Sequence, residues 1–305
     1  MSPILNKASS GPPRGGRPPA AVEISSDGVL AATLPGRSQS PVYAFAALPP
    51  DALVPGIGEP NLRAPQVVAE AIRTALADVA PRSRAVTLVL PDTAVRVFVL
   101  DFDSIPPKSA EALSVLRFRL RKMVPFDVEH AGVSYQVLSE TKSECRVLVV
   151  VLPRPILDEY EAAVRSAGYE PGAVLPSSLA ALAALDASEP ILAACLNGLS
   201  LTTAIASGQD LLLYRTLDLP ADPRQRLQEV QRDIAVAAAY FEDKLAAHPQ
   251  RLHFAGDGSA QEFARWINEP ALPVVELAPP PATGATTAMG NMSLAGITGA
   301  LAGAA

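Results

Sequence analysis

Short apolar, β-branched runs separated by turn-forming residues occur twice along the chain, each time in the same order of elements. In the first round Ala21 to Ile24 and Val29 to Leu34 flank Ser-Ser-Asp-Gly, whose Asp27-Gly28 pair suits a tight hairpin. Val42 to Ala47 predicts a third strand. Pro65 then opens a helix on which Val68, Ile72, Leu76 and Val79 recur at helical spacing, and Ala85 to Leu90 returns as a strand. The second round predicts strands at Ile191 to Leu196, Leu201 to Ala206 and Leu211 to Leu217, joined by Asn197-Gly198 and Ser207-Gly208 turns. Asp222 as N-cap and Pro223 at the first helical position start a long helix with Leu227, Val230, Ile234, Ala238, Phe241 and Leu245 on one face. A strand from Arg251 to Ala255 follows. Gly256-Asp257-Gly258 then turns into a helix whose Phe263, Trp266 and Ile267 are expected in the core, and Val274 to Leu277 closes as a strand. Both rounds have the order βββαβ.

Between the rounds lies a segment with its own elements. A strand at Val95 to Leu100 precedes a helix from Ser109 to Val124 that buries Leu113, Leu116, Leu120 and Val124 and ends before Pro125. Strands at Val133 to Leu138 and Val147 to Leu152 come next, then a helix from Pro155 to Ala167 stopped at Gly168, and Leu179 to Leu185 crosses to the second round. The expected division is a disordered Pro/Gly/Ser-rich leader over 1–20, a first lobe over 21–92, an inserted subdomain over 93–175 and a second lobe over 176–282. An Ala/Gly-rich segment over 283–305 is expected either to return to the core as a helix or to form a flexible tail.

Composition narrows the function classes. A formal charge of −6 over 305 residues argues against nucleic acid as a partner, because such surfaces carry a clustered basic excess. Cys145 and Cys195 lie in apolar runs and predict buried thiols, while His130, His248 and His253 are scattered without metal-ligand spacing, so no metal is implied. No apolar core of a secretory leader and no run of about 18 apolar residues occurs. The chain is therefore expected to be cytoplasmic. Neither a Walker-type phosphate loop nor a Gly-x-Ser-x-Gly elbow is present.

Two βββαβ units split by an insertion resemble the actin-like fold, in which two ribonuclease-H-like lobes face each other across a nucleotide cleft. The likeness sharpens over Leu90-Pro-Asp-Thr-Ala-Val-Arg-Val-Phe-Val-Leu-Asp-Phe-Asp-Ser-Ile-Pro, then Glu111 and Leu113, Arg119-Leu-Arg-Lys-Met-Val-Pro-Phe-Asp and Val133-Ser-Tyr-Gln-Val-Leu. This stretch resembles the PilM family of type IV pilus assembly proteins and, more remotely, the type II secretion L protein and the cell-division actin FtsA. The resemblance implies an α/β, actin-like fold with an inserted α+β subdomain. Since only Asp218 to Asp222 separates the third strand of lobe two from its long helix, the helical subdomain of that lobe is expected to be reduced or absent.

The resemblance also implies a site. Phosphates would lie on the two hairpin turns, which makes Glu23, Ser25, Ser26, Asn197 and Gly198 nucleotide-site candidates, and Gly256 and Gly258 resemble the glycine pair that lets an adenosine approach the backbone closely. Against a family pattern of Gly-Ile-Asp-Ile-Gly followed by lysine, Glu23 replaces the aspartate, Ser25 the glycine and Leu30 the lysine. No carboxylate occurs from Ile191 through Gln209. The expectation is therefore a scaffold without ATPase activity, a catalytic residue or a required cofactor, ATP with magnesium being possible but not expected. Its implied partners are the cytoplasmic tail of a PilN-like bitopic membrane protein and pilus motor platform proteins, which would hold it peripherally at the inner membrane. Val95, Val97, Val99, Leu116, Phe118, Leu120 and Phe126 are the partner-binding candidates, since peptides dock on sheet edges and beside helices. The basic run Arg117, Arg119, Arg121 and Lys122 can meet anionic lipid or an acidic tail, or serve as a solvated face that favours the helix dipole. Two rivals stay open: an actin-like ATPase using Glu23 and Asp257 to manage a metal, and a type II secretion scaffold.

Overall fold

A computed structural model describes residues 16–35, 40–58, 60–185, 188–208, 210–278 and 293–302. In the first lobe β1 (Ala20–Ile24) pairs antiparallel with β2 (Gly28–Thr33), β2 antiparallel with β3 (Val42–Ala47), and β1 parallel with β4 (Ala85–Leu90). A further strand, β8 (Glu170–Pro176), lies parallel to β4, which gives the order β3-β2-β1-β4-β8. The β1–β2 turn needs Gly28 for packing: a Cβ there would sit 2.4 Å from the Phe45 ring. On one face α1 (Pro65–Val79) buries Val68, Ile72, Ala75 and Leu76. The other face takes α7 (Ala295–Ala302), whose Ile297, Ala300 and Leu301 cluster with Ala21, Leu30, Ala32 and Val89. Residues 1–15 of the expected leader, and 283–292 and 303–305 of the C-terminal segment, lie outside the described residues. Residues at 16–20 already join the fold, since the Pro19 carbonyl accepts from the Leu34 amide at 2.8 Å.

The second sheet repeats the order as β11-β10-β9-β12-β13, with β9 (Ile191–Asn197), β10 (Ser200–Ser207), β11 (Asp210–Asp218), β12 (Leu252–Gly256) and β13 (Val274–Glu276). Asp222 caps α5 (Pro223–Leu245) by accepting from the Arg224 and Gln225 amides, and Ser259 with Glu262 forms a reciprocal capping box on α6 (Ala260–Ile267). Both helices bury apolar stripes on one face of this sheet, where Phe254 and Phe263 stack at 4.4 Å. Trp266 was expected in that core but is 37% exposed: Phe263 and Ile267, four apart, take the buried line and turn Trp266 outward. Asp218 and Pro223 are separated by four residues, so α5 follows β11 with no helical subdomain between them.

The segment expected as one insertion over 93–175 divides in two. Its own sheet has the order β5-β7-β6, from β5 (Arg96–Phe102), β6 (Gly132–Glu140) and β7 (Cys145–Leu152), and is covered by α2 (Ser109–Leu120). The helix α2 stops at Leu120, short of the expected Val124. The next helix, α3 (Arg154–Ser166), returns to the first lobe: Tyr160 Oη donates to Asn61 at 3.0 Å, and Glu159 accepts from the Asn61 and Leu62 amides. With β8 pairing on β4, residues from Arg154 to Pro176 belong to the first lobe. Finally α4 (Ser177–Leu182) is buried along its whole length between the lobes.

Candidate functional site

The ends of β1, β4, β9 and β12 and the N-termini of α4 and α7 converge on one cleft of about 410 Å³ between the lobes. Ligands in open α/β sheets lie at such strand ends. The structure brings Glu23, Ser25, Ser26, Asn197, Gly198 and Gly256 together in its lining, along with Asp27 and Asp257. Of the nucleotide-site candidates, Gly258 is not among the lining residues; it turns the chain toward α6 with a φ of +88°. Gly256, with a φ of +129°, lies so close to β9 that a Cβ would stand 1.9 Å from the Leu196 carbonyl oxygen.

The polar groups facing this cleft are largely engaged with one another. Glu23, 7% exposed, takes the Ser177 hydroxyl at 2.6 Å, and Gly296 at the start of α7 lies against the same carboxylate. A Cβ on Gly296 would fall 2.5 Å from Oε1. The Glu23 side chain thus sits between the N-termini of α4 and α7, where the helix dipoles favour a negative charge. Burial outweighs that help and pushes its pKa up to about 7, with Asp92 adding to the rise. Asp92 follows β4 and is buried. It accepts from the Ser178 amide at 3.0 Å, the Ser178 hydroxyl at 2.6 Å and Asn197 Nδ2 at 2.6 Å. Since Asn197 belongs to β9, Asp92 ties the first lobe to both α4 and the second lobe. Burial raises its pKa against those three bonds. The Gly198 amide donates to Asp257 Oδ2 at 2.6 Å, and the Asp257 carboxyl is raised by burial and by Asp27.

This set does not fit a magnesium polyphosphate. A phosphate site needs free backbone amides and a compensating cation, whereas the Gly198 and Ser178 amides already hold carboxylates. None of the described lining residues is basic. Leu30, at the position where the resembled pattern has lysine, is fully buried against α7. Among the described residues no group of three or more His, Cys, Asp and Glu could hold a metal ion. Burial pushes the Cys195 thiol up to about 12, which disfavours the thiolate that a nucleophile needs.

No family model matches the chain, and no curated protein matches it. Among solved structures, a PilM–PilN type IV pilus biogenesis complex aligns with a TM-score of 0.70 at 19% identity, covering 95% of this chain and 97% of that chain. That likeness and the two sheets of repeated order make the fold actin-like. The cytoplasmic domain of EpsL, an inner membrane component of the type II secretion system of Vibrio cholerae, aligns at 0.49 and 17% identity over 78% of this chain and 81% of that one. Ethanolamine utilization protein EutJ from Carboxydothermus hydrogenoformans aligns at 0.47 and 11% identity over 96% and 90%. At such identities the likeness speaks for the architecture alone.

Within this actin-like frame the expected partner-binding residues separate. Leu116 and Leu120 are fully buried in the insertion's own core, and Val95 and Val97 are buried where the insertion meets the first lobe. These four correct the expectation, because an apolar stripe on a helix or strand looks the same whether it faces its own sheet or a partner. Val99 and Phe126 are half-buried, and Phe118 is 71% exposed. Asp92, Ser177 and Ser178 were not singled out from sequence. The available signals were an aspartate just past the end of a parallel strand and a Pro-Ser-Ser helix start.

Proposed function

We propose that this chain is a scaffold of a type IV pilus assembly complex that binds the cytoplasmic tail of a PilN-like membrane protein and does not hydrolyse ATP. The observation that carries the reading is that the cleft's donors are taken by the chain itself: Glu23 Oε1 holds the Ser177 hydroxyl, Asp92 the Ser178 amide and Asp257 the Gly198 amide, while Glu23 Oε2 is buried without a hydrogen-bond partner. A cleft that the protein's own side chains hold together serves a frame better than an engine. The fold likeness to the PilM–PilN complex over nearly the whole of both chains supports the choice of system. No helix of the described residues is long and apolar enough to cross a membrane, so membrane association in this reading runs through partners. The tail would lie on the inner face of the insertion's sheet, where Val99, Leu138 and Val150 stay half-buried beside Leu157 of α3.

Calorimetry separates the alternatives. A synthetic peptide of the PilN cytoplasmic tail from the same organism is expected to bind the full chain with one-to-one stoichiometry and to lose binding in Val150→Asp. ATP with magnesium is expected to give no heat. Magnesium-dependent turnover that disappears in Glu23→Ala would replace the scaffold by an ATPase. A tail that fails to bind would overturn the choice of partner.

A further inference from the structure

The outer face of α2 belongs neither to the cleft nor to the proposed tail groove. Ala112, Leu116 and Leu120 point into the insertion's sheet, so residues on the opposite side of the helix form an outward ridge. Phe118 stands on that ridge and, at 71%, is the most exposed large hydrophobic side chain among the described residues. Val115 and Met123 flank it, 37% and 38% exposed. The ten residues from Ser114 to Met123 hold four cations, Arg117, Arg119, Arg121 and Lys122, and no acid, in a chain whose formal charge is −6. Arg117 is anchored to the Ala131 carbonyl and Arg121 to Glu129, while Arg119 and Lys122 are exposed.

We propose that this ridge docks directly on an anionic lipid surface, with Phe118 entering the headgroup layer and Arg119 and Lys122 meeting lipid phosphates. A protein partner would have to offer a pocket deep enough for a projecting aromatic ring. A bilayer receives a convex, aromatic and basic ridge without one. The cation run within an otherwise acidic chain also orients the molecule, because an anionic membrane attracts this face and repels the remainder. The inference goes beyond the scaffold reading and is independent of it, since protein-free vesicles contain no PilN tail.

The test is co-sedimentation of the full chain with vesicles of phosphatidylcholine alone or with roughly a third phosphatidylglycerol. The expected result is at least several-fold more bound protein on the anionic vesicles, falling as added salt shortens the screening length. Phe118→Ser and the double change Arg119→Glu, Lys122→Glu should each abolish the excess, and Phe118→Leu should retain it. These side chains are exposed, and circular dichroism of each variant checks that it folds. Equal binding to both vesicle types, or variants that bind as well as the parent, would overturn the proposal. So would indifference to vesicles coupled with salt-sensitive capture of a poly-glutamate peptide, which would assign the ridge to an acidic protein.

Discussion

Replacing Glu23 by glutamine should stabilise the protein at alkaline pH and leave it nearly unchanged in acid. The carboxyl titrates near 4.5 when exposed and near 7 in its buried place between α4 and α7, with desolvation the main cause and Asp92 a secondary one. Between those two values the folded chain binds more protons than the unfolded chain, so stability falls as pH rises. The contribution is fully present below about pH 4.5 and lost once the pH has passed the folded value. At about 1.4 kcal/mol per unit, the shift is worth about 3 kcal/mol. Glutamine is a neutral isostere that keeps an oxygen for the Ser177 hydroxyl, so it removes the titration and little else. Urea unfolding followed by the single tryptophan, Trp266, gives the measurement. The difference between Glu23→Gln and the parent should be close to zero in acid and approach 3 kcal/mol in favour of the variant above about pH 8. Taking the difference cancels most of the other buried carboxylates. A difference that stays flat from acid to alkali would refute the argument, because it would mean that Glu23 keeps an ordinary pKa.

Three further outcomes follow from the packing. Leu116→Ala should cost about 2–5 kcal/mol and Phe118→Ala less than about 0.5, measured by chemical denaturation, since one leaves a cavity in the insertion's core and the other trims an exposed ring. Gly256→Ala should lower stability by about 3 kcal/mol or more, because its Cβ meets the Leu196 carbonyl; Gly198→Ala has open space at its φ of +61° and should cost only about 1–2 kcal/mol in a thermal melt. Asp92→Ala strands the Ser178 amide and hydroxyl and leaves Asn197 Nδ2 only its 3.4 Å contact to Ser178 Oγ, and about 1–3 kcal/mol for each donor that stays buried would show as a lower Tm.

The two βββαβ units were legible because each strand carries its own signal. Asp27-Gly28 and Asn197-Gly198 mark the hairpins, and the starts of α1 and α5 are written as Pro65 and Asp222-Pro223. The strand β8 was missed for a physical reason: Glu-Pro-Gly-Ala-Val-Leu-Pro contains two prolines and a glycine. Such residues suit only a strand at the margin of a sheet, and β8 is the edge of its sheet, with a register shift opposite Val86 and Thr87. The role of Asp92 was hidden by distance, since its partners lie 86 and 105 residues further along the chain. Leu116 and Leu120 were placed on the right face of α2 but given to the wrong neighbour, because periodicity identifies a buried stripe without saying what buries it.

The departures from the nucleotide-site pattern make sense together rather than one by one. Leu30, where the resembled pattern has lysine, lies in an apolar cluster that α7 completes with Ile297, Ala300 and Leu301. With α7 seated there, Gly296 lies against Glu23 and the carboxylate is buried beside the start of that helix. On the other side of the cleft Asp257 fills the second hairpin's amide as a phosphate oxygen would, while Asp92 joins that hairpin to α4. Three carboxylates of the chain thus hold donors in and beside the cleft. On the scaffold reading proposed above, the lobes are joined without a nucleotide through the bond from Asn197 to Asp92.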